Sequence, residues 1–354
     1  MNNQPPTTSK QSLLGDKSSK EGEIIREVWQ DNLEKEFLLI QDLAEECQFV
    51  ALDTEFPGVL YQTAQTEYLK IKQNADNLNT IQIGLTFAKS DGTYPSACTF
   101  QFNFAFNKDK DSCNKEAIKF LEESGIQFKD HARRGIQPAD FAELMYSSGL
   151  LFNEDICWVT FHGGFDYCYF LKTLIDQKLP NTCKEFYEQQ HHYFPLSVDV
   201  KLIIQEIDGF KYLGLEKLSK SLDLERIGPQ HQAGSDSLMT MKVYFKLKER
   251  EKINFESIKN QIFGLSEYED ERQLNSQSQQ YYEQQQYQSI FNQDYLAGQF
   301  FYQNLQGPVM NELYANDYSQ MGVQGQMFVR NYSNNAFPNN EQRGGQPRRT
   351  PSQR

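Results

Sequence analysis

The chain has 354 residues, with 48 acidic against 35 basic ones and a formal net charge of −13, a balance that excludes binding nucleic acid through a broad basic face. Only 38 % of its residues are hydrophobic and the mean hydropathy is −0.68, too polar for the whole length to pack into a core. No run of about 18 apolar residues is present, which excludes a transmembrane helix.

The first residues carry no apolar core of the kind a secretory leader needs, so no such leader is expected. Residues 1–21 are expected to be a disordered polar arm, and the folded domain is expected over 22–268. The six cysteines (Cys47, Cys98, Cys113, Cys157, Cys168 and Cys183) are scattered and form no C-x-x-C pair, so they read as reduced, largely buried thiols rather than a zinc site.

Within the domain, Ile25, Val28, Trp29 and Leu33 lie near helical spacing and predict a helix over 24–33, followed by a second over 37–46. Cys47–Glu55 (CQFVALDTE) predicts a strand, with Phe49 and Ala51 on one face and Val50 and Leu52 on the other. Apolar residues on both faces place it centrally in a sheet. Thr80–Ala88 and Thr99–Phe106 predict its neighbours, with a turn at Ser90-Asp91-Gly92 between them. Helices follow near 116–124 and 138–147, then a strand over 156–161. That strand enters His162-Gly163-Gly164 and a helix over 165–175. A strand over 194–200 with a helix to Ile207, and helices over 215–222 and 235–247, complete an α/β domain with a mixed sheet flanked by helices. Residues 269–354 are expected to be a disordered tail. From 271 onward there are 18 Gln, 10 Asn and 8 Tyr but no Lys, and too few aliphatic residues to offset the entropy of ordering.

Three signals carry chemistry. Asp53 and Glu55 are at i and i+2 of the central strand, so both carboxylates leave the same face. The strand could merely be reaching solvent there, but buried unpaired acids are costly and call for positive charge. Asp166 heads the stripe Asp166, Phe170, Leu174 at the start of its helix. It could serve only the helix dipole, yet the stripe faces inward. Asp236 likewise heads Met239, Val243 and Leu247, and His231 lies in the preceding loop Gly228–Gly234, where a solvated side chain is the plain alternative. Gly234 or Ser235 is expected to cap that helix. Four acids leaving apolar faces in one domain, without a Cys or His ligand pattern, suit two divalent ions, Mg²⁺ or Mn²⁺. Two such ions stabilise the attacking and leaving oxygens of a phosphodiester displacement, and a near-neutral imidazole can take the proton of the attacking water.

D-x-E on a strand, an isolated Asp on a helix and H-x-x-x-x-D resemble the pattern of the DEDDh exonucleases. More narrowly, FVALDTEFPG (49–58), WVTFHGGFDYCYFLKTL (158–174), FPLSVDVKLI (194–203) and LERIGPQHQAGSDSL (224–238) resemble the Caf/Pop-type poly(A) deadenylase, the catalytic subunit of the CCR–NOT complex of mRNA decay. The resemblance spans about 22–268. It implies a ribonuclease H-like fold and 3′-to-5′ removal of adenylates from mRNA with release of 5′-AMP. It also implies poly(A) mRNA as substrate, docking on the NOT scaffold, pairing with a second deadenylase, and no membrane. Carried over position by position, Asp53, Glu55, Asp166 and Asp236 are metal ligands and His231 is the general base, while Asp199 is structural. The expected compartments are the cytoplasm, including P-bodies, and the nucleus. The chain departs from the family's pattern slightly at His162–Phe165 and in the charged segment 107–111. An exonuclease acting on DNA or structured RNA, and an idle scaffold-binding adaptor, are the competing readings.

Overall fold

The computed structural model describes residues 25–250 and 253–266. The arm expected over 1–21 and the tail expected over 269–354 both lie outside the described residues. The chain opens with strand β1 (Ile25–Val28) and helix α1 (Leu33–Glu46), then β2 (Phe49–Glu55), α2 (Glu67–Asn77), β3 (Gln82–Ala88) and β4 (Thr99–Asn103). Three helices follow, α3 (Lys115–Glu123), α4 (Phe128–Arg134) and α5 (Pro138–Tyr146). The second half alternates β5 (Cys157–Thr160), α6 (Gly164–Ile175), α7 (Cys183–Tyr193), β6 (Leu196–Asp199), α8 (Val200–Gln205), α9 (Leu215–Ser221), α10 (Ala233–Arg250) and the single turn α11 (Phe255–Ile258).

The six strands form one mixed sheet in the order β1-β4-β3-β2-β5-β6. β2, β3 and β4 run as an antiparallel meander, and β5 and β6 add in parallel to its β2 side. This is the ribonuclease H-like arrangement expected, and β2 is indeed interior. One correction concerns the first element. The helix expected over 24–33 does not form: among the described residues Ile25–Val28 pair in parallel with Thr99–Phe102 as an edge strand, and helix begins only at Leu33. Four residues are too few to separate a period of 3.6 from a period of 2, and the free edge of β4 decides between them.

The two faces of the sheet differ. Val50, Leu52, Ile83, Leu85, Phe87, Phe100, Phe102 and Trp158 pack beneath α1, α2, α5, α6 and α7 as an apolar core. The opposite face is apolar only toward β5 and β6, where Ala51, Val159 and Val198 meet α8, α9 and α10. Toward β3 and β4 it carries buried Gln82, Thr86, Thr99, Gln101 and Asn103. These polar side chains pair with each other and with the start of α10: Gln82 Nε2 donates to Asn103 Oδ1 at 2.8 Å, and Thr86 and Ser237 hydroxyls meet at 2.9 Å. A buried polar face survives because every such partner is supplied. Helices α2, α4 and α7 had no counterpart in the sequence reading. In α2 and α7 the mean hydropathy is low and Asn74 and Gln190 are fully buried, so the apolar periodicity is diluted.

Candidate active site

The site forms where β2 outruns its neighbour. β2 pairs with β5 only through Ala51, whereas its pairing with β3 continues to Glu55. Asp53 and Glu55 therefore project from the last residues of an interior strand onto the face beneath α10. Thr54, pointing the other way, donates from its hydroxyl to Asp166 Oδ1 at 2.7 Å. That bond ties the first turn of α6 to the strand end, and the inward stripe of α6 is buried throughout: Asp166, Phe170 and Leu174.

α10 is seated by the sheet rather than by its own cap. Gln82 Oε1 accepts from Ala233 N–H at 3.2 Å and Gln101 Oε1 from Gly234 N–H at 2.9 Å. These two side chains satisfy N–H groups that a helix start leaves unpaired. The cap expected at Gly234 or Ser235 is thus corrected: both lie inside the helix, whose first residue is Ala233. The helix can approach this closely because β3 has Gly84 there. A Cβ at position 84 would fall 1.9 Å from the Ala233 carbonyl oxygen.

This seating brings Asp236 and His231 over β2. One ligand atom each from Glu55, His231 and Asp236 lie within 4.8 Å of one another. Asp236 Oδ2 accepts from the His231 backbone N–H at 2.8 Å, and its Oδ1 accepts from Arg226 Nη1. Burial pushes Asp53 well above the usual carboxylate range, and the charges of Asp166, Asp236 and Glu55 push it further. Burial followed by Asp236 and Asp166 does the same to Glu55. Burial pushes Asp166 up to about 7 against the opposing Thr54 hydrogen bonds. The structure thus gathers all five expected positions at one end of the sheet.

The donor set fits divalent cations. Glu55 is 3 % exposed and its Oε2 is buried without a hydrogen-bond partner, a costly arrangement for a carboxylate that lacks a cation. Four mutually repelling carboxylates, three of them buried and Asp53 half-buried, with no thiol among them suit hard, oxygen-preferring ions. Asp199 is different. Its carboxylate accepts from the backbone N–H groups of His162, Gly163, Lys201 and Phe263 at 2.7 to 3.0 Å. It caps α8 and pins the turn that launches α6, in keeping with a structural role.

Arg226, Gln82, Gln101 and Gln232 also build the site, and sequence reasoning passed over them. Arg226 bridges Glu216, Ser235 and Asp236. The signal for it lay in the segment LERIGPQHQAGSDSL, where it is the only basic residue besides His231. No spacing signal marks the glutamines, because their partners are over 100 residues away.

The model of the CAF1 family ribonucleases matches residues 28–144 and 149–244. The chain belongs to the CAF1 ribonuclease family. It is 42 % identical over 252 residues to the Schizosaccharomyces pombe protein named poly(A) ribonuclease pop2, covering 68 % of this chain and 75 % of that one. It is 41 % identical over 240 residues to the Arabidopsis thaliana protein named probable CCR4-associated factor 1 homolog 10, covering 64 % and 86 %. Among solved structures, it superposes on S. pombe Pop2p in its Mg²⁺- and Mn²⁺-bound form with a TM-score of 0.65 and 42 % identity, over 68 % of this chain and 99 % of that one. A chain in the structure of the yeast NOT1 MIF4G domain co-crystallised with CAF1 gives a TM-score of 0.60 at 29 % identity, over 68 % of this chain and 96 % of that one. As a CAF1 family ribonuclease the chain is a hydrolase of RNA phosphodiester bonds, and its site is to be read in those terms.

Proposed function

We propose that this chain is a metal-dependent 3′-to-5′ exoribonuclease that removes poly(A) tails from mRNA, releases 5′-AMP and serves as the catalytic subunit of a CCR–NOT complex. The observation that carries the reading is the convergence of Asp53, Glu55, Asp166 and Asp236 with His231 at the end of β2, including a buried Glu55 oxygen that no protein donor reaches. Asp53, Glu55, Asp166 and Asp236 are the residues that hold two divalent ions, Mg²⁺ or Mn²⁺. When bound, such ions stabilise the attacking and leaving oxygens of the scissile phosphodiester. The protein's own part is to hold its acids at fixed positions through Thr54, Arg226 and the seated start of α10. His231, within reach of the same carboxylates, takes the proton of the attacking water.

Poly(A) selectivity is supported by the naming of the pop2 relative as a poly(A) ribonuclease. Docking on a NOT scaffold is supported by the likeness to CAF1 co-crystallised with the NOT1 MIF4G domain. Pairing with a second deadenylase, and residence in the cytoplasm, P-bodies and nucleus, follow from membership of such a complex. The test is digestion of a 5′-labelled RNA ending in oligo(A), beside RNAs ending in oligo(U) and oligo(C), in Mg²⁺, Mn²⁺ and EDTA. The expected result is stepwise shortening confined to the A-ended substrate and absent in EDTA. Metal-independent cutting, or equal rates on all three ends, overturns it.

A further inference from the structure

The backbone of His231 is fixed, but its ring is not fixed by the backbone. Its φ is +59°, in the left-handed region, and its N–H is held by Asp236. Two side-chain torsions remain to aim the imidazole, and the residue is half-buried, so part of its surroundings is water. On its protein side the ring meets Phe120 of α3, with centroids 4.6 Å apart and planes at 64°. That is the edge-to-face geometry aromatic pairs prefer.

α3 is built as a rigid mount between the two halves of the site. At its start the Asn114 side chain caps the helix by accepting from the Glu116 and Ala117 N–H groups, and the Asn114 backbone N–H donates to the Pro57 carbonyl at 2.9 Å, two residues beyond Glu55. Gly58, at φ +79°, lets that segment close on the helix: a Cβ there would lie 2.6 Å from the Ala117 Cβ. At its end Gln232, the neighbour of His231, donates from Nε2 to the Ser124 carbonyl at 3.2 Å. The same Gln232 accepts from Gln82 and Gln101 of the sheet. Phe120 itself packs against a small apolar cluster that includes Ile118, Leu121 and Phe128. The helix thus ties the strand end that carries Glu55 to the loop that carries His231, and Phe120 is the side chain it sets against the imidazole.

We propose that Phe120 is a positioning residue for His231, its ring forming the wall that keeps the imidazole turned toward Glu55 and Asp236. The proposal rests on the reading of His231 as the general base. The test is a double-mutant cycle in the full chain on oligo(A) RNA: wild type, Phe120→Ala, His231→Ala and the double variant, with melting temperature and Mn²⁺ affinity measured for each. Misaiming a catalytic group costs roughly 10–100-fold, so Phe120→Ala should lower kcat by about that factor with KM and Mn²⁺ affinity changed less than about twofold. In the His231→Ala background the same substitution should change kcat by less than about twofold, because nothing remains to be aimed. Phe120→Leu, which keeps an apolar wall, decides the matter if the alanine variant does not fold: it should show the same pattern with a smaller loss. Equal losses in both backgrounds, a rise in KM as the main effect, a loss of Mn²⁺ affinity, or wild-type kcat in both Phe120 variants overturns the proposal. If the wild type does not hydrolyse oligo(A), or His231→Ala equals it, the reading of the base falls and the proposal with it. If those arms behave and only the cycle fails, the role of Phe120 alone is lost.

Discussion

Asp53 sits where three other carboxylates raise its proton affinity on top of its burial, so its charge is a burden to the metal-free fold. Because the folded pKa values of Asp53, Glu55 and Asp166 lie above their ordinary values, the folded state holds protons that the unfolded state releases. Without metal, stability from this cluster is therefore greatest below about pH 4 and declines as pH rises through the value of about 7 reached by Asp166. Asp53→Asn should abolish hydrolysis, yet raise the melting temperature in EDTA at pH 8 and flatten its pH dependence. An active Asp53→Asn enzyme, or one that melts lower than wild type in EDTA, contradicts the ligand assignment. His231 should behave otherwise. Loss of a general base costs roughly 10²–10⁴-fold, so His231→Ala should be slow but not inert and should bind Mn²⁺ almost normally. Comparison of the pH–rate profiles of wild type and His231→Ala shows whether a rising limb belongs to His231 or to metal-bound water.

At the scale of elements, the site depends on how closely α10 lies on β3. Gly84→Ala drives a methyl group into the Ala233 backbone carbonyl, which cannot yield as a flexible side chain can. Overpacking of this kind costs about 1–3 kcal/mol, and relief requires the start of α10 to lift, carrying Asp236 and His231 with it. The expected outcome is a lower melting temperature together with weakened Mn²⁺ binding by calorimetry; unaltered metal binding would show that the helix seat does not set the ligands. Asp199 organises a second junction. In Asp199→Asn an amide NH₂ faces two of the four N–H groups that the carboxylate now satisfies. Unsatisfied buried groups cost about 1–3 kcal/mol each, so chemical denaturation should show a loss on the order of 3 kcal/mol, with the remaining folded enzyme still binding metal. A variant that folds normally but loses metal would make Asp199 a ligand.

For the whole molecule, the described residues contain every position assigned to the site, and no helix among them is long and apolar enough to cross a membrane. Ending the chain after about residue 270 should leave hydrolysis of a short oligo(A) unchanged; a large loss in initial rate would mean that residues of the tail touch the substrate. Divalent ions should stabilise the intact protein by mass action, by about 2.7 kcal/mol at a concentration one hundred times Kd. A melting temperature that does not respond to Mn²⁺ would argue against binding at the carboxylate cluster.

Local sequence was enough for the strand CQFVALDTE and its two outward acids, for the stripes headed by Asp166 and Asp236, and for the family, because each is written in consecutive residues or in a single helical period. It misread Ile25–Val28, since a four-residue edge strand takes its identity from the free edge of β4 rather than from its own pattern. It was silent on Arg226, Gln82, Gln101 and Gln232, and on the contact between Phe120 and His231. Those residues act through partners brought near only by the packing of α3 and α10 against the sheet. A carboxylate announces itself by standing on an apolar face; the glutamine that seats its helix, or the ring that aims its base, has no meaning until the chain has closed around it.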